Sequence, residues 1–204
     1  MKVLLFLFAS ISTLTAQTVF AEVFKVLNDK LVYDTGDGDL EDGHETQLLA
    51  ILKSEKNIKI LVLNSSGGLI WVADAMADLV IDAGLNSHVE FECASSCARV
   101  FLAGQKRTMS LGGNIGFHKS YWEAQSMKEY YESEKEDEGW SDPFEFASWL
   151  YEDTQSDIFS DFEYLMERGV TPQFAIKTLR AGADGMWYPR RKELLEGGIL
   201  TQLH

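Results

Sequence analysis

Two serines, Ser95 and Ser96, lie between Cys93 and Cys97, where a β-like run over 87–91 gives way to a short apolar helix that stops at Gly104. A hydroxyl at such a junction stands beside helix N–H groups that have no partner within the helix and that favour negative charge. On its own, a serine in that place is more often a helix cap than a nucleophile. Two other features raise the interest of this one. Gly67-Gly68 follows an earlier strand-like run over 58–64 and opens a helix, a turn that can leave a backbone N–H free to hold an anion. His118 ends a later extended run, 115–117, and matters only if folding carries it to Ser95.

The elements that must position these residues are legible as patterns. Residues 23–33 alternate loosely and predict an opening strand or hairpin, followed by a polar turn over 35–39. That turn has some of the character of a calcium loop but lacks the full ligand run and the closing Glu, so it reads as a plain turn. A helix is expected over 40–53. The near-continuous β-branched run over 58–64 suits a strand covered on both faces. A helix over 69–81, the strand into Cys93, the helix to Gly104, a short strand over 106–110 and the extended run to His118 complete the middle of the chain. This alternation predicts an α/β fold with right-handed crossovers, in which sites gather at the carboxyl ends of strands. Gly68, Ser95 and His118 all fall at such ends.

From 123 to 163 the composition changes: fourteen acidic residues stand against Lys128 and Lys135. Aromatic residues from Trp122 to Phe162 are interleaved with them, which argues against disorder. Asp142-Pro143-Phe144-Glu145 reads as a helix start, and 143–168 as one long amphipathic helix or two. The segment suits a packing layer with an acidic outside; a lid, an oligomer contact or a groove for cationic or apolar peptides are the functional alternatives. Thr171-Pro172 opens a further helix to about 181. A strand over 186–188 and a last helix over 189–196, closed by Gly197-Gly198, follow.

The chain has 204 residues and a formal net charge of −14. That length suits one domain, expected over 22–204. Residues 1–21 read as a signal peptide: Lys2, an apolar run from Val3, then Val19-Phe20-Ala21, with cleavage expected after Ala21 and Ala16 as the second choice. The expected location is therefore the periplasm or the exterior, with no membrane span after cleavage. An acidic surface is a poor partner for nucleic acid and for anionic lipid. In an oxidising compartment the only two cysteines, Cys93 and Cys97, could form a disulfide bracing the serine turn, or remain a pair of buried thiols. No metal site is expected, since no His lies at ligand spacing from them.

Three motifs taken together, Asn64-Ser65-Ser66-Gly67-Gly68, Ala94-Ser95-Ser96-Cys97 with Leu102-Ala103-Gly104, and Ile115-Gly116-Phe117-His118, resemble the Clp protease proteolytic subunit and its crotonase-like superfamily. Met186-Trp187-Tyr188 and the stretch from Glu193 to Leu200 resemble that family's closing element. The Cys-Ala-Ser-Ser-Cys form looks most like exported Clp-protease-like proteins. The resemblance covers 55–120 and about 186–201, but not the acidic segment at 121–165. It implies a ClpP-like spiral of repeated β-β-α turns, carrying the acidic segment as a helical insertion and assembled as trimers or larger rings. It implies Ser95 as nucleophile, preferred to Ser96 by its distance from Gly104, and His118 as general base. The N–H groups of Gly68 and Ser96 would form the oxyanion hole. Asp184 stands near the family's acid, with a slip of about two residues. Ser66 replaces the family's proline, and the Ser95–His118 spacing is slightly short.

The leading expectation is an exported, ATP-independent serine peptidase acting on peptides or unfolded protein, with no cofactor. A catalytically silent relative that binds peptide or a partner is the alternative. Crotonase-type acyl-CoA chemistry fits badly with export and an acidic chain.

Overall fold

The computed structural model describes residues 23–36, 38–182 and 185–202. The signal-peptide reading of 1–21 and the assignment of Asp184 fall outside these residues. The fold is mixed α/β, with a six-stranded sheet and seven helices among the described residues. A hairpin, β1 (Phe24–Leu27) and β2 (Lys30–Asp34), opens it. The sheet continues in parallel through β3 (Ile60–Ser65) and β4 (Asn86–Ala94). On the far edge of β4 two short parallel strands share one long partner. β5 (Arg107–Met109) pairs with its first half and β6 (Asn114–Gly116) with its end. α1 (His44–Ser54) follows β2, α2 (Ile70–Asp82) links β3 to β4, and α3 (Ser96–Leu102) follows β4. Such crossovers are what parallel pairing requires.

Why these strands form is visible in what they bury. Leu61 and Leu63 of β3 are fully enclosed and Val62, on the opposite face, nearly so. The expectation of a strand covered on both faces therefore holds at its centre. In β4 the pattern alternates: Ser87 and Val89 are buried, whereas His88 and Glu90 turn outward. Two residue steps along β3, Leu63 to Ser65, span four along β4, Val89 to Cys93. The resulting bulge leaves Phe91 exposed and brings the strand end back into register for the turn that follows.

Three expected boundaries move. The first helix starts at His44 rather than near Leu40, because the backbone of Leu40 is already engaged: its N–H donates to Gly67 O at 2.6 Å and its carbonyl accepts from Leu69 N at 3.0 Å. The strand expected over 186–188 is a single bridge, Trp187 to Phe117. The last helix, α7 (Arg191–Glu196), begins after Pro189 and Arg190 rather than with them. Elsewhere the long helix α5 (Pro143–Glu167) starts as its sequence indicates. The Asp142 carboxylate accepts from Phe144 N and Glu145 N, with Pro143 in the first turn. It is preceded by α4 (Ala124–Glu134) and followed by α6 (Pro172–Arg180).

The main core lies between the sheet and its helices, with Tyr33, Leu48, Leu63, Met76, Phe101, Ile115 and Leu194 among its members. A second, smaller aromatic cluster joins α4, the turn after it and the first part of α5. Tyr130, Tyr131, Trp140, Phe146 and Trp149 pack there with ring centroids 4.9–6.5 Å apart. The acidic segment is thus built as a packed layer whose charges face water. Arg107 ties the far end of the fold together. Its guanidinium donates to the carbonyls of Leu102, Gly104, Arg168, Gly198 and Ile199 at 2.7–3.3 Å, linking α3, α5 and the chain after α7 to β5.

Candidate active site

β3, β4 and β6 are neighbours, so their carboxyl ends emerge side by side. Ser65 pairs with Cys93, and Cys93 with Ile115, across one row of the sheet. Gly68, Ser95 and His118 each lie two or three residues beyond that row. Their convergence follows from register, although they are separated in sequence.

At the end of β4 the chain reverses into α3 through Ser95, whose φ of 55° and ψ of −130° are adopted by few residues other than glycine. The turn is held by Ser95 N donating to Gly116 O (3.0 Å) and Ala98 N donating to Ser95 O (3.0 Å). A disulfide joins Cys93 to Cys97 across it, with Cα atoms 5.2 Å apart. Of the two readings left open for these cysteines, the bridge is the one observed. Gly67 and Gly68, with φ of 108° and 143°, turn the end of β3 against the same loop. A Cβ on Gly67 would lie 2.7 Å from Ser95 Cβ, and one on Gly68 2.5 Å from Leu40 N and O, so neither position has room for a side chain.

The Ser95 hydroxyl and His118 Nε2 are 2.6 Å apart, and both residues are partly exposed. That is hydrogen-bond reach for transfer of the hydroxyl proton to the imidazole. The neighbouring Ser96 is engaged differently, its hydroxyl donating to Gly68 O at 3.1 Å and stitching α3 to the glycine turn. The Leu40 bridge uses Gly67 O and Leu69 N, which leaves the N–H of Gly68 without an acceptor among the described residues. Ser96 N, in the first turn of α3, is likewise without one. A serine hydroxyl, an adjoining imidazole and two free amides are the parts that acyl transfer requires.

The other side of the imidazole is less complete. His118 Nδ1 is buried and has no hydrogen-bond partner among the described residues. The backbone is tied down on both sides of His118. Phe117 exchanges backbone hydrogen bonds with Trp187 (2.8 and 2.9 Å), and Lys119 N donates to Ala181 O (3.4 Å). Gly116 permits this approach, because a Cβ there would meet Met186 Cγ at 2.6 Å and Tyr188 Cε1 at 2.7 Å. Tyr188 in turn donates a short hydrogen bond to Glu92, and its phenol is pushed up to about 12, first by burial and then by that carboxylate.

The structure also supplies site residues that sequence reasoning passed over. Leu40 pins the glycine turn, Gly116 accepts from Ser95 N, and the Tyr121 ring lies 6.1 Å from that of His118. The exposed Leu69, Ile70 and Trp71 run on from Gly68. Leu40 was hidden as the expected first residue of the helix over 40–53, and Gly116 within the extended run that leads to His118. Among the described residues no group of three or more His, Cys, Asp or Glu could hold a metal ion, and no helix is long and apolar enough to cross a membrane.

No protein-family model matches this sequence, and no curated protein does. Solved structures do. One is a mutant ClpP1 from Listeria monocytogenes, which is 16% identical, with a TM-score of 0.55 and coverage of 87% of this chain and 91% of that chain. The protein has a ClpP-like fold. At that identity the likeness is one of backbone layout alone.

Proposed function

We propose that the protein is an exported serine peptidase that hydrolyses peptides or unfolded protein without ATP. The reading rests on one observation above the others, the 2.6 Å contact between Ser95 Oγ and His118 Nε2 at adjoining strand ends. In the proposed mechanism His118 takes the hydroxyl proton as Ser95 Oγ attacks the scissile carbonyl carbon. The negative charge that develops on the carbonyl oxygen is met by the N–H groups of Gly68 and Ser96. His118 then passes the proton to the leaving amine, and water hydrolyses the Ser95 ester by the reverse transfers. Asp184 is proposed as the group that orients His118 through Nδ1. Support for this comes from the ties at Ala181 and Trp187, which hold the ends of its segment beside Lys119 and Phe117. Assembly into trimers or larger rings follows from the family resemblance. Phe144, Tyr151 and Ile158, exposed at seven-residue intervals along α5, would suit such a contact. Export follows from the reading of residues 1–21.

Fluorophosphonate labelling tests the reading. Labelling is expected for the natural chain and for Ser96→Ala, and is expected to vanish in Ser95→Ala. Retention of label in Ser95→Ala would remove Ser95 from the role. A second reading draws on His118 Nδ1, which has no hydrogen-bond partner among the described residues: a silent relative that holds peptide or a partner protein along the exposed Leu69–Trp71 edge. No labelling and no turnover across broad peptide libraries, together with measurable peptide binding, would favour it.

A further inference from the structure

The disulfide encloses only three residues, Ala94, Ser95 and Ser96, and two of them carry the proposed chemistry. Among the described residues only Ser95 and Asn28 are non-glycine residues with positive φ. A backbone held in so sparsely populated a region persists only where its surroundings impose it. Here the non-covalent restraints are two backbone hydrogen bonds, at Ser95 N and Ser95 O, and the side-chain bonds of Ser95 to His118 and of Ser96 to Gly68 O. The bridge is the covalent one. One of its ends is in β4, at a residue paired with both Ser65 and Ile115, and the other is in the first turn of α3. It therefore fixes the start of α3 to the strand end, and with it the direction of Ser96 N–H. Both cysteines are 0% exposed and belong to the core. Two thiols in van der Waals contact need more room than a bonded pair, and a close-packed interior has little to give.

We propose that formation of the Cys93–Cys97 disulfide is the activating step of this protein. The dithiol chain folds but holds Ser95 and Ser96 N–H out of reactive alignment, and the bridge sets them. The step is a thiol–disulfide exchange: Cys93 and Cys97 lose two protons and two electrons, and a small-molecule or protein disulfide accepts them and leaves as two thiols. Once the bridge is closed, burial shields both sulfurs from attack, so the setting is made at folding rather than switched back and forth. Activity would then be confined to compartments that oxidise thiols. The inference rests on the serine-peptidase reading, with the two cysteines as positioning residues.

The test compares the oxidised chain with the same chain unfolded, reduced and refolded under a dithiol, and with a Cys93→Ala/Cys97→Ala variant. Circular dichroism reports the fold, fluorophosphonate labelling reports Ser95, and amide hydrogen exchange reports the Ser95 N–H bonded to Gly116. The reduced chain and the variant are expected to keep their secondary structure, label at least tenfold more slowly, and lose protection at Ser95. Oxidised glutathione is expected to restore labelling in the reduced chain in step with thiol loss, and to do nothing for the variant. Equal labelling and equal protection in both redox states would overturn the proposal. So would failure of both the reduced chain and the variant to fold, since the bridge would then serve the fold and not the turn. An oxidised chain that is never labelled, yet loses Ser95 protection on reduction, would leave the bracing in place and overturn the peptidase reading and the activation built on it.

Discussion

At the scale of single residues, the site depends on positions that cannot take a side chain as much as on those that bear one. Gly67 is the clearest case: a methyl there would press on Ser95 at 2.7 Å while forcing a non-glycine residue to φ 108°. Gly67→Ala is expected to slow fluorophosphonate labelling at least tenfold and to cost about 1–3 kcal/mol, read from a urea titration. The residue types were legible in the sequence. Ser95, His118 and the glycine pair could be singled out because hydroxyl, imidazole and free amide are scarce in combination. The preference for Ser95 over Ser96 came from the family resemblance; what single residues could not disclose was that Ser95 Oγ meets His118 while Ser96 Oγ is taken up by Gly68 O.

At the scale of elements, two joints set the conditions under which the scaffold holds. One is Arg107, which is buried and whose guanidinium is bonded only to carbonyl oxygens. Burial lowers its pKa, with Arg168 adding to the effect, but five carbonyls from three segments depend on it. Replacing it by Met would strand those acceptors. Arg107→Met is expected to cost about 3 kcal/mol or more, seen as a lowered urea midpoint. The other joint is between β2 and α1, where the Tyr33 hydroxyl meets His44 Nδ1 at 2.9 Å in the core. Burial lowers the His44 pKa, against the opposing pull of Glu41 and Glu45, so the folded state resists a proton that the unfolded chain accepts near pH 6.5. The stability this protects is present above that pH and is lost as pH falls towards the folded value. His88, also lowered by burial first, acts in the same sense. Asp74 and Asp161, raised first by burial in spite of Arg99, act oppositely: acidification from their raised values towards the ordinary carboxylate range stabilises the fold. Urea titrations from pH 8 to 5 are expected to show falling stability, and His44→Gln to flatten that fall. Element order was readable because strand and helix periods differ so plainly between 58 and 104. The start of α1 was misread because the bridge from Leu40 to Gly68 overrides the local pattern.

At the scale of the whole molecule, the acidic segment holds a satellite aromatic core over α4 and the first part of α5, while the end of α5 is tied to α3 through Asp161 and Tyr164, both bonded to Arg99. Trp140 and Phe146 are nearly enclosed there, whereas Tyr151 and Phe159 further along α5 stand in solvent. Trp140→Ala is expected to open this satellite alone. Hydrogen exchange should rise across 124–149, while β3 and β4 keep their protection. The sequence told of aromatic packing there but not of its partner, because which ring meets which depends on the turn after α4. The whole fold also carries an instruction for reading variation. Every group of the proposed reaction seen among the described residues lies between residues 60 and 118, just beyond the ends of three neighbouring strands of one sheet. Outside that block, the backbone touches it near the chemistry at Leu40, Ala181 and Trp187. A saturation library scored for reactivity at matched abundance should therefore map as one dense band and three isolated islands, with the long acidic arm almost silent between them.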